Sequence, residues 1–119
     1  MIYIGTDIVP IARIEKLIKE KDYRFLNHVF TDHEQKICND KIRPWIHYSG
    51  KFAAKEAVKK AILSSKSITN IPFKLIEINN DSEGVPIVKL LIKNIDQENI
   101  KVSISHAGEY ATSIAILNI

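Results

Sequence analysis

The feature that most constrains the fold is an alanine-rich stretch, residues 49–61, near the middle of the chain. Wound at about 100° per residue, it places five small apolar side chains on one side of a helix: Ala53, Ala54, Ala57, Val58 and Ala61. Alanine is the best helix former, and a face made mostly of alanine lets a helix approach a sheet closely. The stretch therefore predicts a helix whose alanine face packs against a sheet.

The opposite side of this helix is predicted to carry four lysines and one carboxylate around Phe52: Lys51, Lys55, Glu56, Lys59 and Lys60. A solvated helix stabilised by a Glu56–Lys60 pair, four residues apart, gives the same pattern. Taken alone, the stretch favours that structural interpretation, because charged runs usually face water.

Length and composition restrict the class of protein. The 119 residues predict one domain, 1–119, large enough for a real core. The single cysteine, Cys38, and the lack of a signal or membrane-spanning pattern predict a cytoplasmic protein without a membrane partner. A net charge of +3 indicates acidic partners, without the dense basic clusters typical of a nucleic-acid binder.

Periodicity along the chain predicts helices between a first strand and later antiparallel strands. The first strand is residues 1–9, and helices follow at 10–19, 23–29, from a capping box at 31–34 to 39–40, and from 44 to a break at 64–67. Later strands are expected at 74–78, 87–92, 100–105 and 111–117. The order predicts an α+β fold, with an antiparallel sheet packed against one long helix and shorter helices.

Polar residues interrupt these apolar elements at three places: Asp7 on the first strand, Glu56 on the long helix, and residues 103–106 at a strand end. Asp7 alone has an equal explanation as a cap for the following helix. Two carboxylates from separate elements can instead share Mg²⁺, which takes one or two carboxylates plus substrate phosphate oxygens. Nearby lysines would neutralise such phosphates, and His106 would donate to one or simply cap a turn. The residues indicate a metal-plus-phosphate site without identifying its substrate.

Five blocks, in order and at matching spacing, carry a resemblance that covers nearly the whole chain: IGTDIV at 4–9 with RI at 13–14, FT at 30–31 with Glu34, KFAAKEA at 51–57, VSISH at 102–106, and EYA at 109–111. They resemble the holo-acyl-carrier-protein synthases, the short single-domain branch of the 4′-phosphopantetheinyl transferases. The resemblance implies Mg²⁺-dependent transfer of phosphopantetheine from coenzyme A to a serine of apo acyl carrier protein, in fatty acid biosynthesis. Adenosine 3′,5′-bisphosphate would leave.

The resemblance also implies roles for individual residues. Asp7 and Glu56 would hold Mg²⁺, and Glu56 and Lys60 would be catalytic. The serine proton would go to Glu56 or to a metal-bound hydroxide, and the sequence does not choose between them. Coenzyme A would contact Lys51, Lys55, Lys60, Gly84 and His106. The acidic carrier protein would contact Arg13, Lys16 and Arg24. Relatives of this type are homotrimers with coenzyme A bound between subunits, which would place Phe52 and exposed apolar surface at an interface.

Two positions depart from the family pattern. Residues 64–67 are Ser-Ser-Lys-Ser where a glycine-containing loop is common, and Val85 stands where lysine is common. Both affect expected nucleotide contacts and neither affects the carboxylate pair.

Two alternative functions are a non-catalytic nucleotide-binding or assembly subunit and a Mg²⁺-dependent phosphohydrolase. The intact pair of Asp7 and Glu56 argues against the first, and the second needs no surface for a protein partner.

Overall fold

A single long helix is the structural centre of the chain. In the computed structural model, which describes residues 1–21 and 23–119, that helix is α4 (Pro44–Ser64). The other elements are β1 (Ile2–Pro10), α1 (Ile11–Lys21), α2 (Tyr23–Val29), α3 (Asp32–Asn39), β2 (Ile76–Asn80), β3 (Pro86–Leu90), β4 (Ile100–Ala107) and β5 (Tyr110–Asn118). The predicted α+β class is confirmed.

The strands form two antiparallel sheets. The larger has the order β1-β5-β4, and the smaller pairs β2 with β3. The predicted hairpins between β2 and β3 and between β4 and β5 are both present. The expected strand at 74–78 begins later than predicted, because Phe73–Leu75 forms a 3₁₀ turn before β2.

The alanine face of α4 packs as predicted. All five of its small apolar side chains have no exposed surface: Ala53, Ala54, Ala57, Val58 and Ala61. Gly5 on β1 completes the contact, since a Cβ added there would lie 1.8 Å from the Ala57 carbonyl oxygen and 2.7 Å from the Ala61 nitrogen. The backbones of β1 and α4 therefore approach more closely than any side chain at position 5 would allow.

The prediction that all the α4 lysines face solvent is wrong for two of them. Lys55 is completely buried and Lys51 is 6% exposed. The Lys55 ammonium pairs with Glu34 and donates to the carbonyl oxygens of Val29, at 2.7 Å, and Phe73, at 3.1 Å. A buried charge needs such partners, and the elements that supply them cover this side of α4. Lys55 therefore belongs to the core rather than to a ligand-binding surface.

Lys51 is held in a similar way one turn earlier. Its Nζ donates to the Ile78 carbonyl oxygen of β2 at 2.6 Å. Ile78 N–H in turn donates to Glu34 Oε2 at 2.8 Å. Side chains of α3 and α4 thus bind the edge of β2 opposite to β3, which fixes the β2–β3 hairpin against the helices.

The larger sheet has an exposed apolar face. The face turned away from α4 carries isoleucines that are between 42% and 64% exposed: Ile2, Ile4, Ile8, Ile114 and Ile116. Phe52 is half-buried and packs within the subunit, with ring centroids 6.0 Å from Phe25 and 5.9 Å from Phe73. These contacts account for the buried part of the Phe52 side chain. Among the described residues, no helix is long and apolar enough to cross a membrane.

Candidate functional site

Two carboxylates from different elements, Asp7 of β1 and Glu56 of α4, come together beside Lys60. Lys60 Nζ lies 3.2 Å from Asp7 Oδ1 and donates to the Thr6 carbonyl oxygen at 2.9 Å. Burial raises the pKa of Glu56, and the charge of Asp7 raises it further. Lys60, Lys59 and Arg13 act in the opposite direction, so a group of basic side chains surrounds the pair. We call these residues the carboxylate site.

The close packing of β1 on α4 produces this arrangement. Alternate residues of β1 face α4, so Asp7 points to the same side of the sheet as Gly5. Because Gly5 lies against Ala57 and Ala61, the residues just before them, Glu56 and Lys60, come next to Asp7. Asp7 is thus bonded to Lys60 and does not cap α1, whose first N–H, that of Ile11, donates to the Glu109 carbonyl oxygen.

The donors in the carboxylate site fit Mg²⁺. Both are hard carboxylate oxygens, and after burial the negative charge of Asp7 is the next cause that raises the pKa of Glu56, as expected for two carboxylates that lie close together. Within the described residues, no group of three or more His, Cys, Asp or Glu side chains could hold a metal ion. Further ligands would therefore be oxygens of water or substrate, which is the usual way in which proteins bind Mg²⁺.

A separate pocket of about 480 Å³ lies between α3 with its connection to α4, the first half of α4, the β2–β3 hairpin and β4. Its charged and titratable lining residues are all basic: His33, Lys41, His47, Lys51 and His106. Gly84 also lines it, in a turn where a φ of 84° favours glycine. We call this the cationic pocket. Its size is typical of small-ligand sites.

The cationic pocket contains three of the five residues predicted to contact coenzyme A: Lys51, Gly84 and His106. Lys60 is in the carboxylate site instead, and Lys55 is buried in the core. Glu56 lies nine residues after His47, which puts it about 180° around α4 from the pocket. One subunit therefore presents the two groups of residues on opposite sides of α4.

Sequence reasoning missed part of this arrangement. The capping box at Thr31 and Glu34 is confirmed, but the ion pair between Glu34 and Lys55 was not foreseen. The available signal was helical spacing: Lys51 and Lys55 lie three and seven residues after the buried Tyr48, on one stripe of α4. His47 is exposed and also lines the cationic pocket.

The residues predicted to bind a carrier protein are exposed on the first two helices. Arg13 and Lys16 lie on α1 and Arg24 on α2. Arg13 is close enough to the carboxylate site to lower the pKa of Glu56, whereas Lys16 Nζ lies 3.9 Å from the carboxylate of Glu20. Arg13 thus lies near the carboxylate site.

Comparison with known proteins identifies the family. A family model described as the 4′-phosphopantetheinyl transferase superfamily matches residues 3–115. The holo-[acyl-carrier-protein] synthase of Protochlamydia amoebophila is 43% identical over 116 residues, covering 95% of this chain and 94% of the relative. The chain belongs to the 4′-phosphopantetheinyl transferase superfamily. The resemblance noted in the sequence motifs is confirmed.

Solved structures of this superfamily have the same fold. The holo-[acyl-carrier-protein] synthase of Helicobacter pylori, in complex with coenzyme A, aligns with a TM-score of 0.81 at 32% identity, covering 97% of this chain and 99% of that one. A Chronobacterium ammoniagenes ACPS–CoA complex aligns with a TM-score of 0.84 at 25% identity, covering 99% and 97%. The chain therefore matches these transferases over nearly its full length.

Proposed function

We infer that the chain is a holo-acyl-carrier-protein synthase acting in fatty acid biosynthesis. It transfers 4′-phosphopantetheine from coenzyme A to a serine of apo acyl carrier protein and releases adenosine 3′,5′-bisphosphate. The observation that carries this inference is the carboxylate site, where Asp7, Glu56 and Lys60 meet in a fold that matches coenzyme A complexes along nearly its full length.

The residues of the carboxylate site fit the chemistry of this transfer. A phosphoryl-type transfer requires mainly positioning and charge neutralisation. Asp7 and Glu56 would hold Mg²⁺, which supplies positive charge against the pyrophosphate of coenzyme A. Lys60, with its ammonium beside Asp7 and a side chain that is 52% exposed, would neutralise the same phosphates.

The reaction replaces one phosphorus–oxygen bond by another. The serine oxygen bonds to the phosphorus that carries pantetheine, and the bridging bond of the pyrophosphate breaks. The electron pair of that bond leaves with adenosine 3′,5′-bisphosphate. Glu56 is our candidate acceptor of the serine proton, because its carboxylate lies in the carboxylate site, beside Asp7 and Lys60, where that serine would react.

We propose that the enzyme is a homotrimer whose sites form between subunits. Within one subunit the cationic pocket and the carboxylate site lie on opposite sides of α4, so a neighbour would bring them together. The exposed isoleucine face of the larger sheet supports association, since a contiguous apolar patch commonly marks an interface. Light scattering at micromolar concentration is the test, and a fully active monomer would contradict the proposal.

We propose that acyl carrier protein docks on α1 and α2, through Arg13 first and Lys16 and Arg24 less strongly. All three side chains are exposed, and Arg13 lies beside the carboxylate site where the carrier serine must react. An acidic carrier would be steered by these charges, so its association should weaken as salt is added. A cytoplasmic location is also part of the proposal, in keeping with the single unpaired Cys38.

One assay tests the proposed function. The protein is incubated with coenzyme A, Mg²⁺ and apo acyl carrier protein, and the carrier is weighed by mass spectrometry. We expect an added phosphopantetheine, and loss of nearly all activity in Glu56→Gln, which keeps the size of the side chain. A phosphohydrolase would release nucleotide without carrier, and a non-catalytic subunit would leave the carrier mass unchanged.

A further inference from the structure

The cationic pocket contains more histidines than the proposed function has used. His33 comes from α3, His47 from α4 and His106 from β4, and all three line the same cavity. Lys41 and Lys51 line it as well, and none of the described residues that line it is acidic. A pocket lined in this way is built for an anion.

We propose that His47 binds a phosphate group of coenzyme A in the cationic pocket and takes up a proton from solvent as the ligand binds. This inference rests on the proposed function and adds a second phosphate-binding histidine to the predicted His106. It also implies that affinity for coenzyme A falls as the pH rises through the titration range of His47.

The charges that face His47 explain why the proton arrives with the ligand. Burial lowers the pKa of His47, and positive charges on Lys41, His106 and Lys51 lower it further. These groups come from the α3–α4 connection, from β4 and from the next turn of α4. The β2–β3 hairpin adds only neutral groups to the pocket wall, among them Asn79. Because none of the described residues in this wall is a carboxylate, the free protein holds His47 neutral near pH 7.

A bound phosphate reverses this balance. Its negative charge attracts the protonated imidazole and screens the neighbouring lysines, so the charged form of His47 becomes favoured. A lysine with its ordinary pKa would not show this behaviour, because it is already protonated at neutral pH. The phosphate itself, with a second pKa near 6, would release protons on entering a cationic site rather than take them up. Net proton uptake is therefore specific to a histidine.

Isothermal titration calorimetry measures this uptake directly. Coenzyme A is titrated into the protein with Mg²⁺ at a pH of about 7, in two buffers that differ in ionisation enthalpy. We expect uptake of a fraction of a proton per site in the wild type, and its loss in His47→Gln together with weaker binding. His28→Gln is the matched control, since His28 lies on α2 against Phe73 and outside the pocket lining.

A second arm with dephospho-coenzyme A, which lacks the 3′-phosphate, distinguishes the source of the phosphate. Loss of the uptake would assign His47 to the 3′-phosphate and persistence would assign it to the pyrophosphate, and either result supports the inference. Tight binding of coenzyme A without proton uptake, or uptake that survives in His47→Gln, would overturn it while leaving the proposed function intact. Failure of coenzyme A to bind at all would overturn both.

Discussion

Replacing Gly5 with alanine tests whether the approach of β1 to α4 holds the site together. The new Cβ would lie 1.8 Å from the Ala57 carbonyl oxygen, so reaching an ordinary contact of 3.4 Å requires a shift of about 1.6 Å. Overpacking costs about 1–3 kcal/mol when side chains can yield, and here only backbone can move. We expect a loss of about 3 kcal/mol or more, a large part of a typical total of about 5–15 kcal/mol.

The same shift should reduce activity in the molecules that remain folded. It displaces Asp7 on β1 from Glu56 on α4, and a misplacement of about 1 Å can cost on the order of 100-fold in rate. Urea denaturation gives the free energy of unfolding, and the carrier-protein mass assay gives the rate per folded molecule. A Gly5→Ala variant with wild-type stability and wild-type rate would refute the reasoning.

Gly50→Ala is the matched control on α4 itself. A Cβ there would meet only the Cγ2 atom of Ile104, at 3.2 Å, and a side chain can yield. Alanine favours a helix over glycine by about 1 kcal/mol, so we expect stability within about 1 kcal/mol of wild type. Because Gly50 lines the cationic pocket, any change should appear in the KM for coenzyme A.

Three further predictions follow from named contacts. Lys55→Met should lower the free energy of unfolding, measured by urea denaturation, by about 3–5 kcal/mol, because it leaves the buried carboxylate of Glu34 without its ion-pair partner. A variant with nearly wild-type stability would contradict the buried ion pair. Arg13→Ala should raise the KM for acyl carrier protein far more than that for coenzyme A, with Lys16→Ala as the weaker control, and equal effects on both substrates would place docking elsewhere. Burial raises the pKa of Cys38 to about 12, so its thiol should react with a disulfide reagent at pH 8 only after unfolding, and rapid labelling of native protein would contradict the buried position.

Local pattern was sufficient to predict the alanine face of α4 and the two hairpins. Helical spacing identifies the buried side directly, and turn residues such as Gly84 mark where a strand reverses. Gly5, by contrast, appeared only as part of a motif. Its role depends on which helix crosses β1, and that is a long-range contact which no local pattern contains.

Charge misled the sequence analysis on α4. Lysine usually faces water, so Lys51 and Lys55 were predicted to be exposed along with Lys59 and Lys60. Both are buried because a carboxylate and carbonyl oxygens from distant segments meet their ammonium groups. Neither the partner residue nor its geometry can be inferred from one sequence. A lysine on an otherwise buried stripe was the only local indication.

The sequence predicted that the carboxylates of Asp7 and Glu56 would meet. Each lies in an apolar element, where an uncompensated carboxylate costs free energy, so a shared site was expected. The cationic pocket was not anticipated as a unit, because its wall comes from four separate parts of the chain. His47 illustrates the difficulty: in sequence it is an isolated histidine near a helix start, and only the fold brings it to the same cavity as His106.

The carboxylate site and the cationic pocket lie on opposite sides of α4, and this placement allows a decisive test of whether sites are shared between subunits. Glu56→Gln damages the carboxylate site and leaves the cationic pocket intact, whereas His106→Ala does the reverse. Suppose that each site combines the pocket of one subunit with the carboxylates of its neighbour. In trimers formed at random from equal amounts of the two variants, about a quarter of the sites then have both an intact pocket and intact carboxylates. We therefore expect two nearly inactive variants to recover activity after they are unfolded together and refolded as a mixture. If each site lies within one subunit, every subunit in the mixture carries one lesion, and activity should stay at the level of the separate variants.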